Sequence, residues 1–381
     1  MTGLLETPYG TRDFLPKEAA VKRAVEQKIF KLFASFGYYE VITPTMEYLE
    51  TLTTSSGRAQ EPHLFKMFDR NNRTLALRNE MTTPIARLAV SRLKDLSMPL
   101  KLSYNTNVFR FRTNQPGRQC EFYQAGVELL GVSNAFADAE VIALAAQALN
   151  VAGLEDFKIC LGQVEFAGGL MKDLSADVQA EIKSAIEHHD IVALDNLDVD
   201  DVFKKIPTLQ GGKEILTAAQ SIADNERSRR AIDNLTEIYR LLEVYGVADK
   251  ITFDLGLIRD FEYYTGMVFE AYAHGVGYSL AGGGRYDNML KDFGAACPAT
   301  GFALGIERIL DAMKFQNVAE DSRAKDFYLS YAAGQEDLAI QKAAELRASN
   351  KVVEVSLTPQ SKIDAEKSCA EKNCVELVYL Q

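Results

Sequence analysis

Residues 100–130 read LKLSYNTNVFRFRTNQPGRQCEFYQAGVELL, and this stretch decides the fold. Leu100, Leu102, Tyr104, Thr106, Val108 and Arg110 fall alternately on one side, the period of a strand. Thr113 to Gly117 supplies Asn, Pro and Gly, residues that turn a chain, and Gln119 to Leu130 reads as the antiparallel return strand. Gln124 and Glu128 stand four apart on that return, so both project from one face. Side by side, a glutamate and a glutamine can hold an amine or an imidazole. The carboxylate brings charge, and the amide brings one acceptor and two donors. Spacing alone favours a plainer alternative, a solvated sheet face.

Working outward, a helix is expected from Pro16, a residue suited to a first helical position. Val21, Val25, Ile29, Phe33 and Phe36 give it one buried stripe. Gly37 ends it, and Tyr38 to Ile42 reads as a strand running into Pro44. A second helix starts at Thr83-Pro84, with Thr83 as its expected cap, and buries Ile85, Leu88 and Ala89. Downstream, Ala135 to Leu149 is an alanine- and leucine-rich helix, and Phe157 to Leu161 is a strand. A mainly helical insertion follows over about 163–249. Strands return at Ile251 to Leu255, Met267 to Ala273 and Tyr278 to Ala281, and a helix from Leu304 to Met313 closes a main domain of residues 1–315. Residues 316–324 read as a linker. Residues 325–381 alternate strand, helix, strand, helix, strand, which implies a small α/β unit with parallel strands. The expected class is therefore α+β: an antiparallel sheet flanked by helices, a helical insertion and a small C-terminal α/β domain.

Two further stretches carry chemistry. Leu257 to Gly266 (LIRDFEYYTG) is denser in polar and aromatic groups than a core strand needs. Arg259 can neutralise a carboxylate or phosphate through its planar fork, and Tyr263 and Tyr264 can wall a small aromatic ligand; an ordinary surface turn explains the composition as well. Gly282-Gly283-Gly284-Arg285-Tyr286-Asp287 is a glycine run with charge behind it, and glycines let backbone approach a ligand closely. It fits neither a Walker loop nor a dinucleotide fingerprint. Adjacent His188 and His189 diverge on a helix and read as a solvated face.

The bulk numbers narrow the choice. A net charge of −11 argues against broad binding to nucleic-acid phosphates and sets a prior towards small ligands and protein partners. No run approaches the ~20 apolar residues that span a bilayer, and the first ten residues show no signal-peptide pattern. Cys120, Cys160, Cys297, Cys369 and Cys374 are few and scattered, which suits a reducing cytoplasm. Cys369 and Cys374 lack a companion pair, so no metal site is expected.

These pieces match a family. Phe36 to Pro44 (FGYYEVITP) resembles motif 1 of the class II aminoacyl-tRNA synthetases of the histidine type, the dimer-forming element. Phe109-Arg110, through Gly117-Arg118, to Phe122-Tyr123-Gln124 resembles motif 2, and Gly301 to Arg308 (GFALGIER) resembles motif 3. Arg259 to Glu270 and Gly282 to Asp287 resemble the two histidine-specific signatures. The resemblance implies a free-histidine pocket. Glu80, Thr82 and Gln124 would meet the amino group, Glu128 the imidazole with Tyr264 and Tyr263 nearby, and Arg259 the carboxylate side.

The departures from the synthetase pattern point to a paralogue. Where motif 2 carries a glutamate two positions after its arginine, this chain has Arg112, a reversal of charge beside the nucleotide site. Thr113-Asn114-Gln115 lacks the arginine-proline pair expected there, while Arg110 and Arg308 remain as candidates for residual nucleotide or anion binding. Leu77 to Arg87 (LRNEMTTPIAR) resembles instead the regulatory subunits of short-form ATP phosphoribosyltransferase, in which Met-Thr-Thr-Pro recurs. The tail stops at Gln381 after its third strand, shorter than a complete anticodon-binding domain, and a shortened chain would also explain that stop. From Ala324 to Gln381 it carries seven Lys/Arg against nine Asp/Glu, a poor grip on RNA.

The resemblance thus implies a non-catalytic subunit without cofactor. It would activate a partner that condenses ATP with phosphoribosyl pyrophosphate, the first step of histidine biosynthesis, and transmit allosteric feedback inhibition by histidine. It would dimerise through motif 1 and join catalytic subunits in a hetero-octamer in the cytoplasm, away from membranes and tRNA. The alternative is an active histidyl-tRNA synthetase.

Overall fold

The structure, a computed structural model, describes residues 4–54, 60–111, 119–188, 190–257, 264–319 and 325–381. The elements run in chain order as follows. Helix α1 (Pro16–Ser35) buries Val25, Ile29 and Phe33, and Gly37 turns the chain at a φ of +81°, a left-handed conformation that glycine adopts without cost. Next come β1 (Tyr39–Glu40), β2 (Met46–Tyr48), α2 (Leu49–Leu52), β3 (Lys66–Phe68), β4 (Thr74–Leu77) and α3 (Thr82–Arg92). The hairpin is β5 (Leu100–Phe109) and β6 (Glu121–Leu130), and α4 (Ala135–Val151) and β7 (Phe157–Gln163) follow it. The insertion holds α5 (Val164–Leu170), α6 (Ala176–Glu187), α7 (Ile191–Asn196), α8 (Val202–Lys205), β8 (Gln210–Gly211), α9 (Glu214–Ile222) and α10 (Glu226–Val244). The chain returns through β9 (Ile251–Asp254), β10 (Met267–Ala273), β11 (Ala281–Arg285), β12 (Ala299–Gly305) and α11 (Ile306–Phe315). The tail is β13 (Lys325–Tyr331), α12 (Glu336–Ala348), β14 (Val353–Val355), α13 (Lys362–Glu371) and β15 (Cys374–Leu380).

The fold is α+β. Nine strands form one sheet in the order β1-β5-β6-β12-β11-β10-β7-β9-β8, antiparallel except where β1 meets β5 and β7 meets β9. The hairpin register sets Leu102 opposite Glu128 and Thr106 opposite Gln124, and on the other side of β6, β12 sets Gly301 opposite Glu128 and Gly305 opposite Gln124. Helix α4 packs against β6, β11 and β12 and is itself covered by α10. Its residues from Val141 to Ala146 are wholly buried, which explains a composition apolar on every side. Against the hairpin, Leu100, Leu102, Tyr104 and Val108 share a core with Ile85, Ala86 and Ala89 of α3.

Contacts divide the chain into two compact units, Met1–Leu15 with Lys22–Ala319, and Pro16–Val21 with Glu320–Gln381. In the second, β14-β13-β15 are all parallel around Leu329, Tyr331, Ala339 and Ala343.

The structure corrects several expectations. Thr83 does not cap α3: the cap position is Met81, and the Glu80 carboxylate accepts the Thr82 and Thr83 N–H groups at 2.5 and 3.0 Å. A carboxylate reaching two exposed helix N–H groups satisfies both at once and suits the positive end of the helix dipole. The strand expected from Tyr278 starts at Ala281 and takes in the glycine run as β11. The helix expected from Leu304 starts at Ile306, because Ala299 to Gly305 are drawn into the sheet as β12. The strand expected over Tyr38 to Ile42 shortens to Tyr39–Glu40, and β2, β3 and β4 form a small antiparallel sheet that was not anticipated. Leu88 is half-buried rather than buried.

One buried ion pair ties α4 to β11. Arg285 donates Nη2 to Asp138 Oδ1 at 2.8 Å and Nε to Oδ2 at 3.2 Å, and gives Nη1 to Asp287 and to the Val132 carbonyl. Arg285→Met should leave Asp138 buried without its cation and cost about 3–5 kcal/mol, as breaking a buried pair does. Urea denaturation at pH 7 measures the loss.

Candidate functional site

The site is built on β6. Glu128 is 2 % exposed, and its side chain lies against Gly301 on β12, where a Cβ would collide with the carboxylate. A glycine opposite a buried glutamate is what creates the space for it. Glu128 Oε1 accepts the Thr82 hydroxyl at 2.9 Å, and Oε2 accepts the Tyr286 hydroxyl. Both donors are neutral, and Glu80 adds a second negative charge nearby. Burial therefore wins over the two hydrogen bonds and pushes the Glu128 carboxyl up to about 8.

One wall is the turn into α3. Arg78, 3 % exposed, donates to the carbonyls of Thr43, Pro44 and Asn107 and to the side chains of Thr106 and Asn107. This one guanidinium fixes the end of β4 to β5 and to the segment before β2. Arg110 donates to the Asn79 carbonyl at 2.9 Å and stacks over Phe122. Between these two anchors Glu80 and Thr82 are held at the edge of a cavity of about 260 Å³.

Gln124 lines the same cavity two pleat repeats from Glu128, 9 % exposed, and its Oε1 is buried without a hydrogen-bond partner among the described residues. An unmade bond at a buried amide costs about 1–3 kcal/mol, so this acceptor is set for a donor that none of the described residues provides. At the far end Arg308 gives Nη1 to the Ser279 carbonyl at 2.5 Å and stacks over Tyr278, and Glu270 lies close by. The preceding residue, Glu307, holds the Tyr123 N–H with both oxygens at 3.0 and 2.9 Å. That contact locks α11 to the strand position just before Gln124.

Of the residues singled out in the sequence, Glu80, Thr82, Gln124, Glu128, Tyr264, Arg110 and Arg308 are brought around one cavity. Gln124 and Glu128 thus occupy a buried face, and the solvated alternative falls. Arg259 and Tyr263 lie outside the described residues, as do Arg112, the loop from Thr113 to Gln115, and His189. Sequence reasoning missed the individual parts played by Tyr286, Gly301, Arg78 and Glu307. All four fall within the motif-like segments of the sequence, and only their long-range partners reveal what they do. The cavity is lined by three carboxyl groups, Glu80, Glu128 and Glu270, and two guanidinium groups, Arg110 and Arg308, a mixture that suits a small zwitterion.

Comparison with known proteins identifies the family and the fold. The histidyl-tRNA synthetase family model matches residues 10–309. A protein of Moorella thermoacetica named ATP phosphoribosyltransferase regulatory subunit is 41 % identical over 97 % of this chain and 96 % of its own. A crystal structure from Bacillus halodurans, described as an ATP phosphoribosyltransferase regulatory subunit/histidyl-tRNA synthetase, superposes with a TM-score of 0.87 at 33 % identity, covering 99 % of each chain. Histidyl-tRNA synthetase from Nostoc shares the fold at a TM-score of 0.83 and 19 % identity, over 97 % of this chain and 89 % of its own.

The Glu128 carboxyl gives a measurable signature. Its folded value lies above its unfolded one, so the native state binds the extra proton. The contribution is fully present below pH 4.5 and is lost as pH rises towards about 8. Stability should therefore fall across that window in the wild-type chain, and Glu128→Gln should flatten this part of the slope. Urea midpoints between pH 5 and 9 provide the check.

Proposed function

The chain belongs to the histidyl-tRNA synthetase family and, within it, to the ATP phosphoribosyltransferase regulatory subunits, and from that premise we propose that its pocket binds free histidine to control a catalytic partner. The observation that carries the regulatory reading is the match along nearly the whole of both chains to proteins named as regulatory subunits. On this reading the chain performs no chemistry of its own. It activates the catalytic subunit of ATP phosphoribosyltransferase and transmits feedback inhibition by histidine.

The chemistry of the pocket supports histidine as ligand. The imidazole meets Glu128, and the ammonium meets Glu80, Thr82 and the unpartnered Gln124 acceptor. Arg259 supplies the carboxylate side, and Tyr263 and Tyr264 the aromatic wall. Inhibition then requires histidine to bind two states of the assembly with different affinity. Arg110 and Arg308 retain a capacity for anions. The second reading, an active histidyl-tRNA synthetase, is favoured by those two arginines and by the synthetase family model. Against it stand Arg112, with its reversed charge, and the acidic balance of the tail.

We read the assembly as a dimer through the motif 1 region, joined to catalytic subunits in a hetero-octamer. The edge position of β1 and the exposure of Tyr39 (78 %) and Ile42 (86 %) support a covered surface there. Among the described residues no helix is long and apolar enough to cross a membrane. The five unpaired cysteines support a reducing, cytoplasmic setting.

Three outcomes are expected. The chain alone should support no histidine-dependent exchange of pyrophosphate into ATP, while a short-form catalytic subunit should be stimulated by it and inhibited again by histidine; robust exchange by the chain alone would sink the regulatory reading. Glu128→Ala should weaken histidine binding by about 10- to 100-fold, the worth of a hydrogen bond to a charged group, with assembly intact by sedimentation. Affinity should also peak between the free imidazole value of roughly 6.5 and the Glu128 value of about 8. Between those values the separated partners jointly carry the one proton that the carboxylate–imidazolium pair needs. Below the window binding must release a proton, and above it binding must take one up. Calorimetry from pH 5.5 to 9 tests that maximum.

A further inference from the structure

Helix α3 touches two places at once. Its first turn forms the pocket wall, where Glu80 accepts the Thr82 and Thr83 N–H groups and the Thr82 hydroxyl reaches Glu128. Farther along, Arg87 directs Nε (3.1 Å) and Nη2 (2.7 Å) onto one oxygen of Glu47. Glu47 is 7 % exposed and sits in the middle of β2, opposite Ala76 of β4. Five residues of helix separate Thr82 from Arg87, a rise of about 7.5 Å. The face of α3 carrying Ile85, Ala86 and Ala89 is buried in the hairpin core. Close packing makes such an element move as a unit rather than bend.

The small sheet β2-β4-β3 is therefore attached to the pocket wall twice. One attachment is the chain itself, β4 leading through Arg78 to Glu80, with Arg78 pinned to the Thr43 and Pro44 carbonyls. The other is the side-chain bridge from α3 to β2. A ligand ammonium drawing on Glu80 and Thr82 competes with the helix N–H groups for the same carboxylate, which acts on the first turn of α3. The chain attachment is held by the Arg78 clamp, so a displacement of α3 is felt at the bridge.

We propose that the Arg87–Glu47 ion pair is the link that carries pocket occupancy to the small sheet β2-β4-β3. This rests on the histidine reading of the pocket and names how that site reports its state. Neither residue lines the cavity. The sheet they reach carries the exposed side chains of Met46, Tyr48 and Phe68, so the signal arrives at a surface available to other chains. The bridge conveys a bias between two arrangements, and its worth is a coupling free energy that a double-mutant cycle isolates.

The test uses the full chain and L-histidine, with binding read by calorimetry and response by amide hydrogen exchange. In the wild type, histidine should change exchange at Met46–Tyr48 and Thr74–Leu77 by about threefold or more, a local opening effect. Glu47→Gln should keep histidine affinity within about twofold, the range of independent sites, and lose the exchange response. The swap Glu47→Arg with Arg87→Glu should restore it, and Arg87→Lys, which keeps the charge without the paired donors, should retain it in part. A response that persists in Glu47→Gln overturns the proposal. So does a loss of histidine affinity in step with the response, since the pair would then merely hold the pocket in shape. Binding by the wild type with a silent small sheet overturns the coupling alone, whereas no binding at all removes the histidine reading and the coupling with it.

Discussion

The site depends on a carboxyl group buried where no cation among its described contacts neutralises it. Glu128 sits over Gly301 in the middle of a nine-stranded sheet, held by two neutral hydroxyls and facing a second carboxylate. Desolvating a charge is expensive, and two hydroxyl donors offset only part of it. The group therefore keeps its proton well above the usual carboxylate range, and no described side chain supplies the cation that would bring it down. Gln124, whose acceptor is unmet among the described residues, repeats the same incompleteness.

Such a site needs rigid surroundings, and the fold supplies them with buried polar groups used as fasteners. Arg78 binds three chain segments together, Glu307 holds the Tyr123 amide, and Arg285 joins β11 to α4 through Asp138. Each is a charged group satisfied by several partners, the condition under which burial is tolerated. The consequence is a wall and floor set by hydrogen bonds at fixed distances, which hold even the turn from β4 into α3 in place.

Much of this was legible in the sequence where periodicity is long. Helix α1, the β5–β6 hairpin and the βαβαβ tail each offer at least seven residues of regular pattern or repeated alternation, and their spans follow it. The small sheet was hidden because β2, β3 and β4 have three or four residues each, too few for alternation to register. Strand β11 was hidden for another reason. Glycine is depleted in strands, yet here Gly283 and Gly284 press against the Gly301 and Met267 carbonyls, so a sheet position demands the residue that sequence statistics exclude. Within the site, the face shared by Gln124 and Glu128 could be read from their spacing. Tyr286 could not, since its contact with Glu128 spans 158 residues and nothing local announces it.

The orphaned Gln124 acceptor also bears on how long the protein lasts. A group left unsatisfied when the cavity is empty is a weakness of the empty chain alone, and any molecule that completes it stabilises the folded form. At a ligand level 100 times its dissociation constant the gain is about 2.7 kcal/mol, a roughly hundredfold drop in the unfolded fraction. Proteases act on that fraction. Lifetime in the cell would then rise with occupancy, making the protein's abundance a slow record of the ligand it had recently met.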